Sequence, residues 1–323
     1  MKLYLDIFIF QLQKKSKSKK DKQPINFDEI YGTLAQKYPN KNHILAFFQE
    51  MVQSFDKTFY LDKENTRALC FQNLEKFTIS SERNTISGQF IGGNTGLQFN
   101  VYKNDNATEI THTVDPSEVT SLPFYFKIWL PKSFNTGVLI VQRYSTSTCL
   151  GLFKKLMEDF FSTFGYKLKF SKFMPQEKRN EFLEICNISE IDISWKDNID
   201  NALKPKLNLM TTGKMVAVIN GICVPLRKFV GDLAYRQKVI DDISQMYPSY
   251  DEKVHKLKFF YIDEKGQRAS STLDDINNII PSINLGKKCV NPNDTPNWEE
   301  IENQATIFLE LIKTNIKYSV KEL

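Results

Sequence analysis

The chain has 323 residues, 41% hydrophobic and 13% aromatic, enough for one large core or two ordinary ones, which excludes a disordered or fibrous polymer. Its formal charge of +5, from 43 basic and 38 acidic residues, is too small to make the whole molecule a polyanion binder. The five cysteines have neither CxxC nor CxxxH spacing, which points to reduced, packed thiols in a cytoplasmic protein and away from structural zinc.

Residues 3–11 place Leu3, Leu5, Ile7 and Ile9 on one face and Tyr4, Phe8 and Phe10 on the other, the pattern of a central strand. Asp6 interrupts the run and the positive charge follows it, the reverse of a secretory signal. No other apolar run approaches the roughly 18 residues of a membrane span. Six lysines come next, Lys14, Lys15, Lys17, Lys19, Lys20 and Lys22, with only Asp21 among them. Charge this dense stays in solvent. It suits the phosphate backbone of a nucleic acid, or else a solvated loop. A membrane-surface role lacks both an apolar anchor and a lipidation signal.

Asn26 and Glu29 suggest a capping box for a helix ending near Tyr38 and Pro39. A second helix spans about 41–55, with Ile44, Phe47, Phe48, Met51, Val52 and Phe55 on one stripe. From 57 to 144, short β-rich runs separated by Asn, Gly and Asp indicate an antiparallel meander or partly closed barrel. The glycines of Gly88–Gly96 invite a phosphate-loop reading, but a strand and not a helix follows, so a hairpin turn at Gly92-Gly93-Asn94 is expected. Phe153, Leu156, Met157, Phe160, Phe161 and Phe164 define a core-facing helix over 149–164, capped by residues 145–148 and ended at Gly165.

The second half reads as a strand at 166–171, a helix from Pro175 to Cys186, a strand at 190–195, a strand or hairpin over 215–226 and a helix at 232–246. A basic hairpin at 256–262 turns at 263–266, and the last helix opens with Thr295 as N-cap and Pro296 at its first position. The expected class is α+β: a meander or partly closed barrel with packed amphipathic helices, followed by a second mixed region. The expected domains are 1–195 and 207–323, divided at the Asn-, Asp- and Pro-rich stretch 197–206, unless the chain is a single domain.

Chemistry is sparse. Of three histidines, His43 and His255 lie beside lysines and read as solvated, while His112 sits on a strand whose period sends Glu109 and Asp115 to the opposite face. Asp263 and Lys265, after an apolar strand, have the spacing of a metal-dependent nuclease pair and equally that of a charged hairpin tip. No serine stands in GxSxG, no cysteine has an acid and base partner nearby, and no cofactor or metal is implied. Further lysines, Lys154, Lys155, Lys167, Lys169 and Lys172, follow in the later helix and strand, where periodicity does not place them relative to the first cluster.

The stretch from Phe124-Tyr-Phe-Lys-Ile-Trp-Leu-Pro131 through Gly137-Val-Leu-Ile-Val-Gln-Arg143 to Leu152-Phe-Lys-Lys-Leu-Met-Glu-Asp-Phe160, with the Gly88–Gly96 segment, resembles a loose group of uncharacterised bacterial proteins carried on mobile elements. That resemblance implies an accessory-gene context such as phage defence or toxin systems, and supplies no active site. The resulting expectation is a cytoplasmic, non-enzymatic bacterial accessory protein that binds nucleic acid or a partner protein. The alternatives are a metal-dependent nuclease or other effector enzyme, and an assembly subunit that forms homo-oligomers.

Overall fold

The computed structural model describes residues 1–15, 24–40, 42–54, 58–71, 77–145, 147–197, 213–247, 250–251, 255–262, 268–276 and 279–318. It is an α+β fold on open antiparallel sheets, and no sheet among the described residues closes into a barrel. The chain forms two units, Met1–Phe173 with Ser282–Leu323, and Met174–Pro281. Residues 198–206 of the expected junction lie outside the described residues; the chain divides instead at Phe173/Met174 and Pro281/Ser282, because the C-terminal segment bonds back to the first strand.

The first unit contains β1 (Leu3–Lys14), α1 (Asp28–Lys37), α2 (His43–Ser54), β2 (Tyr60–Leu61), β3 (Arg67–Cys70), β4 (Thr78–Ser80) and β5 (Thr85–Asn94). Then come β6 (Phe99–Lys103), β7 (Asn106–Val114), β8 (Thr120–Trp129), β9 (Thr136–Tyr144), α3 (Leu150–Thr163) and β10 (Tyr166–Phe173). The second unit contains α4 (Gln176–Ile185), β11 (Asn187–Asp197), β12 (Gly213–Pro225), α5 (Leu226–Gly231), α6 (Leu233–Met246), β13 (His255–Ile262) and β14 (Arg268–Thr272). The chain returns to the first unit with β15 (Ile283–Asn284) and α7 (Trp298–Asn315).

The larger sheet has the order β10-β1-β9-β8-β5-β3-β2, with β15 on β1 and β4 on β5. Period two gives each strand two faces, and in β1, β9 and the second half of β8 both are buried. Phe124, Phe126 and Ile128 of β8 lie on the side of α3, where Phe126 meets Phe153, while Tyr125, Lys127 and Trp129 face α7. Helices α1–α3 therefore cover one face and α7 the other, which is why β1 reads as apolar on both sides. The ribbon β6–β7 pairs only with itself and is exposed along nearly its whole length.

Three local expectations are corrected. Gly92 and Gly93 lie inside β5 and not in a hairpin turn: a Cβ at Gly93 would overlap the Thr120 carbonyl, and one at Gly92 would lie 2.5 Å from Cys149 Sγ, so close strand and helix approach demands glycine. Asn26 and Glu29 form no capping box, since Phe27 is the N-cap and Glu29 turns to Lys14. The cap of α7 is Asn297, whose side chain accepts from the Glu300 N–H, two residues past Thr295.

Asp6, the polar interruption in β1, is buried and fully engaged. Arg143 Nε lies 3.1 Å and Lys172 Nζ 3.5 Å from its carboxylate, and the Ser282 hydroxyl donates to it at 2.5 Å. One carboxylate thus ties β9, β10 and the returning C-terminal segment to β1. Asp6→Asn, which removes the charge and keeps the shape, is expected to cost about 2 kcal/mol, read as a lower urea midpoint; an unchanged midpoint would mean the two cations are solvated without it.

In the second unit the sheet order is β12-β11-β13-β14. Ile191, Ile193, Leu257, Phe259 and Tyr261 form its core with Leu226, Phe229, Ile240 and Ile243 of α5 and α6. The other face alternates to Glu190, Asp192, Lys256 and Lys258, the pattern of an antiparallel sheet with one side in water.

Candidate nucleic-acid interface

The lysine cluster begins where β1 ends, and the register of that end is fixed by β10. Lys14 pairs with Tyr166, Gln13 with Lys167 and Gln11 with Lys169. Leu168 and Phe170 turn inward beside Leu12 and Phe10, so Lys167 and Lys169 point outward and are exposed. Directly paired antiparallel residues have Cβ atoms about 5 Å apart. Paired residues share a face, so Lys167 and Lys169 stand with Gln13 and Gln11 on one side of the sheet, while Lys14 stands with Tyr166 on the other; lysines more than 150 positions apart in sequence thus flank one corner from both sides.

Hydrogen bonds anchor both ends of the cluster there. The Lys15 N–H donates to the Gly165 carbonyl at 3.1 Å, and the Ile25 N–H donates to the Leu12 carbonyl at 3.1 Å. Gly165, at φ +84°, supplies the left-handed turn that brings β10 alongside β1. The Lys15 ammonium donates to the Ser162 carbonyl at 3.3 Å and to its hydroxyl, satisfying the end of α3, where a cation suits the helix dipole. Lys14 pairs with Glu29 at 3.1 Å yet stays 56% exposed. Burial, with Glu29 beside it, pushes the Tyr166 phenol up, so at neutral pH it remains a neutral donor to that carboxylate. Glu29 pairs with Lys14, Asp159 feels the charge of Lys15, and the uncharged Gln13 and Gln11 stand opposite Lys167 and Lys169.

Lys17, Lys19, Lys20 and Lys22 lie outside the described residues, as do Asp263 and Lys265. His112 is exposed on β7 with Nε2 3.4 Å from Glu118 of the following loop. His43 and His255 are half-buried and not solvated as expected. His43 Nδ1 is enclosed, and His255 packs against the rings of Tyr247 and Tyr250. Among the described residues no group of three His, Cys, Asp or Glu side chains can hold a metal ion, and no helix is long and apolar enough to cross a membrane. Four cysteines are buried and Cys223 is exposed; burial pushes the Cys149 thiol up to about 11, which leaves it an inert core group. Lys167 and Lys169 alternate visibly in the sequence, but only strand pairing brings them to the end of the sheet where Lys14 lies. No protein-family model matches this chain, and no curated protein matches it.

Proposed function

We propose that the chain is a non-enzymatic accessory protein that holds a nucleic acid by its phosphate backbone, through Lys14, Lys15, Lys17, Lys19, Lys20 and Lys22 with Lys167 and Lys169. The observation that carries this reading is that lysines flank both sides of the sheet corner where the two ends of the lysine segment are anchored, Lys14 and Lys15 on the side of α1 and α3 and Lys167 and Lys169 on the other. Lysines on an edge strand also discourage edge-to-edge pairing, but that role does not call for a further lysine-rich segment beside them. A bacterial, antiphage setting is supported by the resemblance of the 88–160 region to proteins of mobile elements. A second reading, docking to a partner protein or a second copy, is favoured by the β6–β7 ribbon, which exposes Phe99, Tyr102 and Ile110.

The test is binding of labelled oligonucleotides across a salt series. Glutamine at the six lysines of residues 14–22 is expected to weaken binding by about a hundredfold at low salt and to flatten the slope of log K against log salt by about 0.7 to 0.9 for each phosphate no longer neutralised. The pair Lys167→Gln and Lys169→Gln should give a smaller loss of the same kind. No binding by the wild type, or an unchanged slope in the six-lysine variant, would refute the proposal and leave partner docking in its place.

A further inference from the structure

A cleft of about 800 Å3 lies between α2 and α3, within the range of small-molecule sites. Its apolar side is formed by Phe160 and Phe164, with Tyr38 and Tyr60 also lining it. Two carboxylates line it as well, each held by a tyrosine and a lysine. The Tyr38 hydroxyl donates to Glu50 Oε1 at 2.5 Å, and Lys37 donates to the same oxygen. The Tyr60 hydroxyl donates to Asp159 Oδ2 at 2.6 Å, and Lys155 to Oδ1. Burial alone would raise both carboxyls, but these hydrogen bonds outweigh it and hold both below the usual carboxylate range. Both are ionised at neutral pH and only accept hydrogen bonds.

The cleft adjoins the lysine corner. Thr163 lines it, the neighbouring Ser162 receives the Lys15 ammonium, and the charge of Lys15 is felt at Asp159. A ligand suited to it has a flat π-face for the aromatic rings, N–H donors on its edge for the carboxylates, and a polyanionic tail for the lysines. An unpaired nucleotide of a strand combines all three, its base giving the face and the edge and the backbone the charge, and such bases are read by stacking and edge hydrogen bonds once out of a helix. A paired duplex keeps its base faces stacked and its Watson–Crick edges engaged, so it offers a cleft neither.

We propose that this cleft takes an unpaired base of a single-stranded nucleic acid whose phosphates lie on the lysine corner. The proposal rests on the phosphate-binding reading above and adds the class of strand. It is tested with thiouridine-labelled single-stranded RNA, its DNA counterpart, and the matching duplexes at one salt concentration. Single strands are expected to bind at least about tenfold tighter than duplexes, although phosphate binding alone favours the denser charge of a duplex. Gln53→Trp, which fills the cleft from α2, should abolish that preference while leaving duplex affinity and salt slope unchanged. Photocrosslinks from the wild type should map to Tyr38, Tyr60, Phe160 or Phe164. Equal affinity for both forms, a preference that survives Gln53→Trp, or crosslinks confined to residues outside the cleft would each overturn the base site with phosphate binding intact. Absence of binding to either form would overturn the phosphate reading itself.

Discussion

Phe153→Ala is expected to destabilise the first unit by about 3 to 5 kcal/mol, the range for emptying an aromatic site that cannot collapse. Phe153 is fully buried on α3, with ring centroids 5.0 Å from Phe90, 5.3 Å from Phe126 and 6.0 Å from Phe71. These neighbours belong to β5, β8 and the end of β3, so no single movement closes the hole. Phe164, which is only partly buried at the rim of the cleft, serves as the comparison: Phe164→Ala should cost clearly less. Urea unfolding followed by near-UV circular dichroism separates the two. Equal losses would mean that the α3 stripe is uniform and that its cleft-side rings are simply core.

The second large effect is expected from the buried network under α7. Lys127, with a side chain only 7% exposed, donates to Glu302 and to the Thr306 hydroxyl at 3.0 Å, while Tyr125 donates to Glu302 at 2.5 Å. Glu302→Ala strands an ammonium against the sheet and should cost about 3 kcal/mol, the lower end for breaking a buried pair because Glu302 itself is partly exposed. The double change Lys127→Met with Glu302→Leu should recover most of that loss, since it removes both charges together. Burial raises the Glu302 carboxyl, but the hydrogen bonds from Lys127 and Tyr125 prevail and hold it below its ordinary value of 4.5. The stability it contributes is therefore complete above about pH 4.5 and is lost as the pH falls through the lower folded value. Glu302→Gln should lack this share of the acid dependence. Parallel acid profiles for wild type and Glu302→Gln would mean that Glu302 is not charged against Lys127 in the folded chain.

The elements that proved legible are those whose burial is written in local periodicity. The two-sided run of β1 gave a central strand, the Phe153 stripe gave a core helix, and Gly165 gave its left-handed end. What escaped depends on partners remote in the chain. Gly92 and Gly93 look like turn residues because glycine serves turns and close approaches alike, and only the pairing of β5 with β8 and the nearness of Cys149 distinguish the two. The cap of α7 shifted from Thr295 to Asn297 because Thr295 is engaged in the preceding loop, where its hydroxyl donates to Asn293 and its carbonyl accepts from the Asn291 N–H. The lysine corner was half legible. Lys14 to Lys22 announce themselves, whereas the placing of Lys167 and Lys169 at the same end of the sheet depends on a strand register that no local pattern encodes.

The return of β15 and α7 to the first unit sets an order on the folding of a growing chain. Everything the second unit needs is contiguous, from Met174 to Pro281, and is synthesised before the helix that shields Tyr125, Lys127 and Trp129. During that interval one face of the first sheet has its strands but not its cover, and a nascent chain halted after Pro281 presents a broad apolar surface to chaperones. Docking of α7 after its release from the ribosome, with Lys313 over the Trp129 ring, is then the step that covers this face.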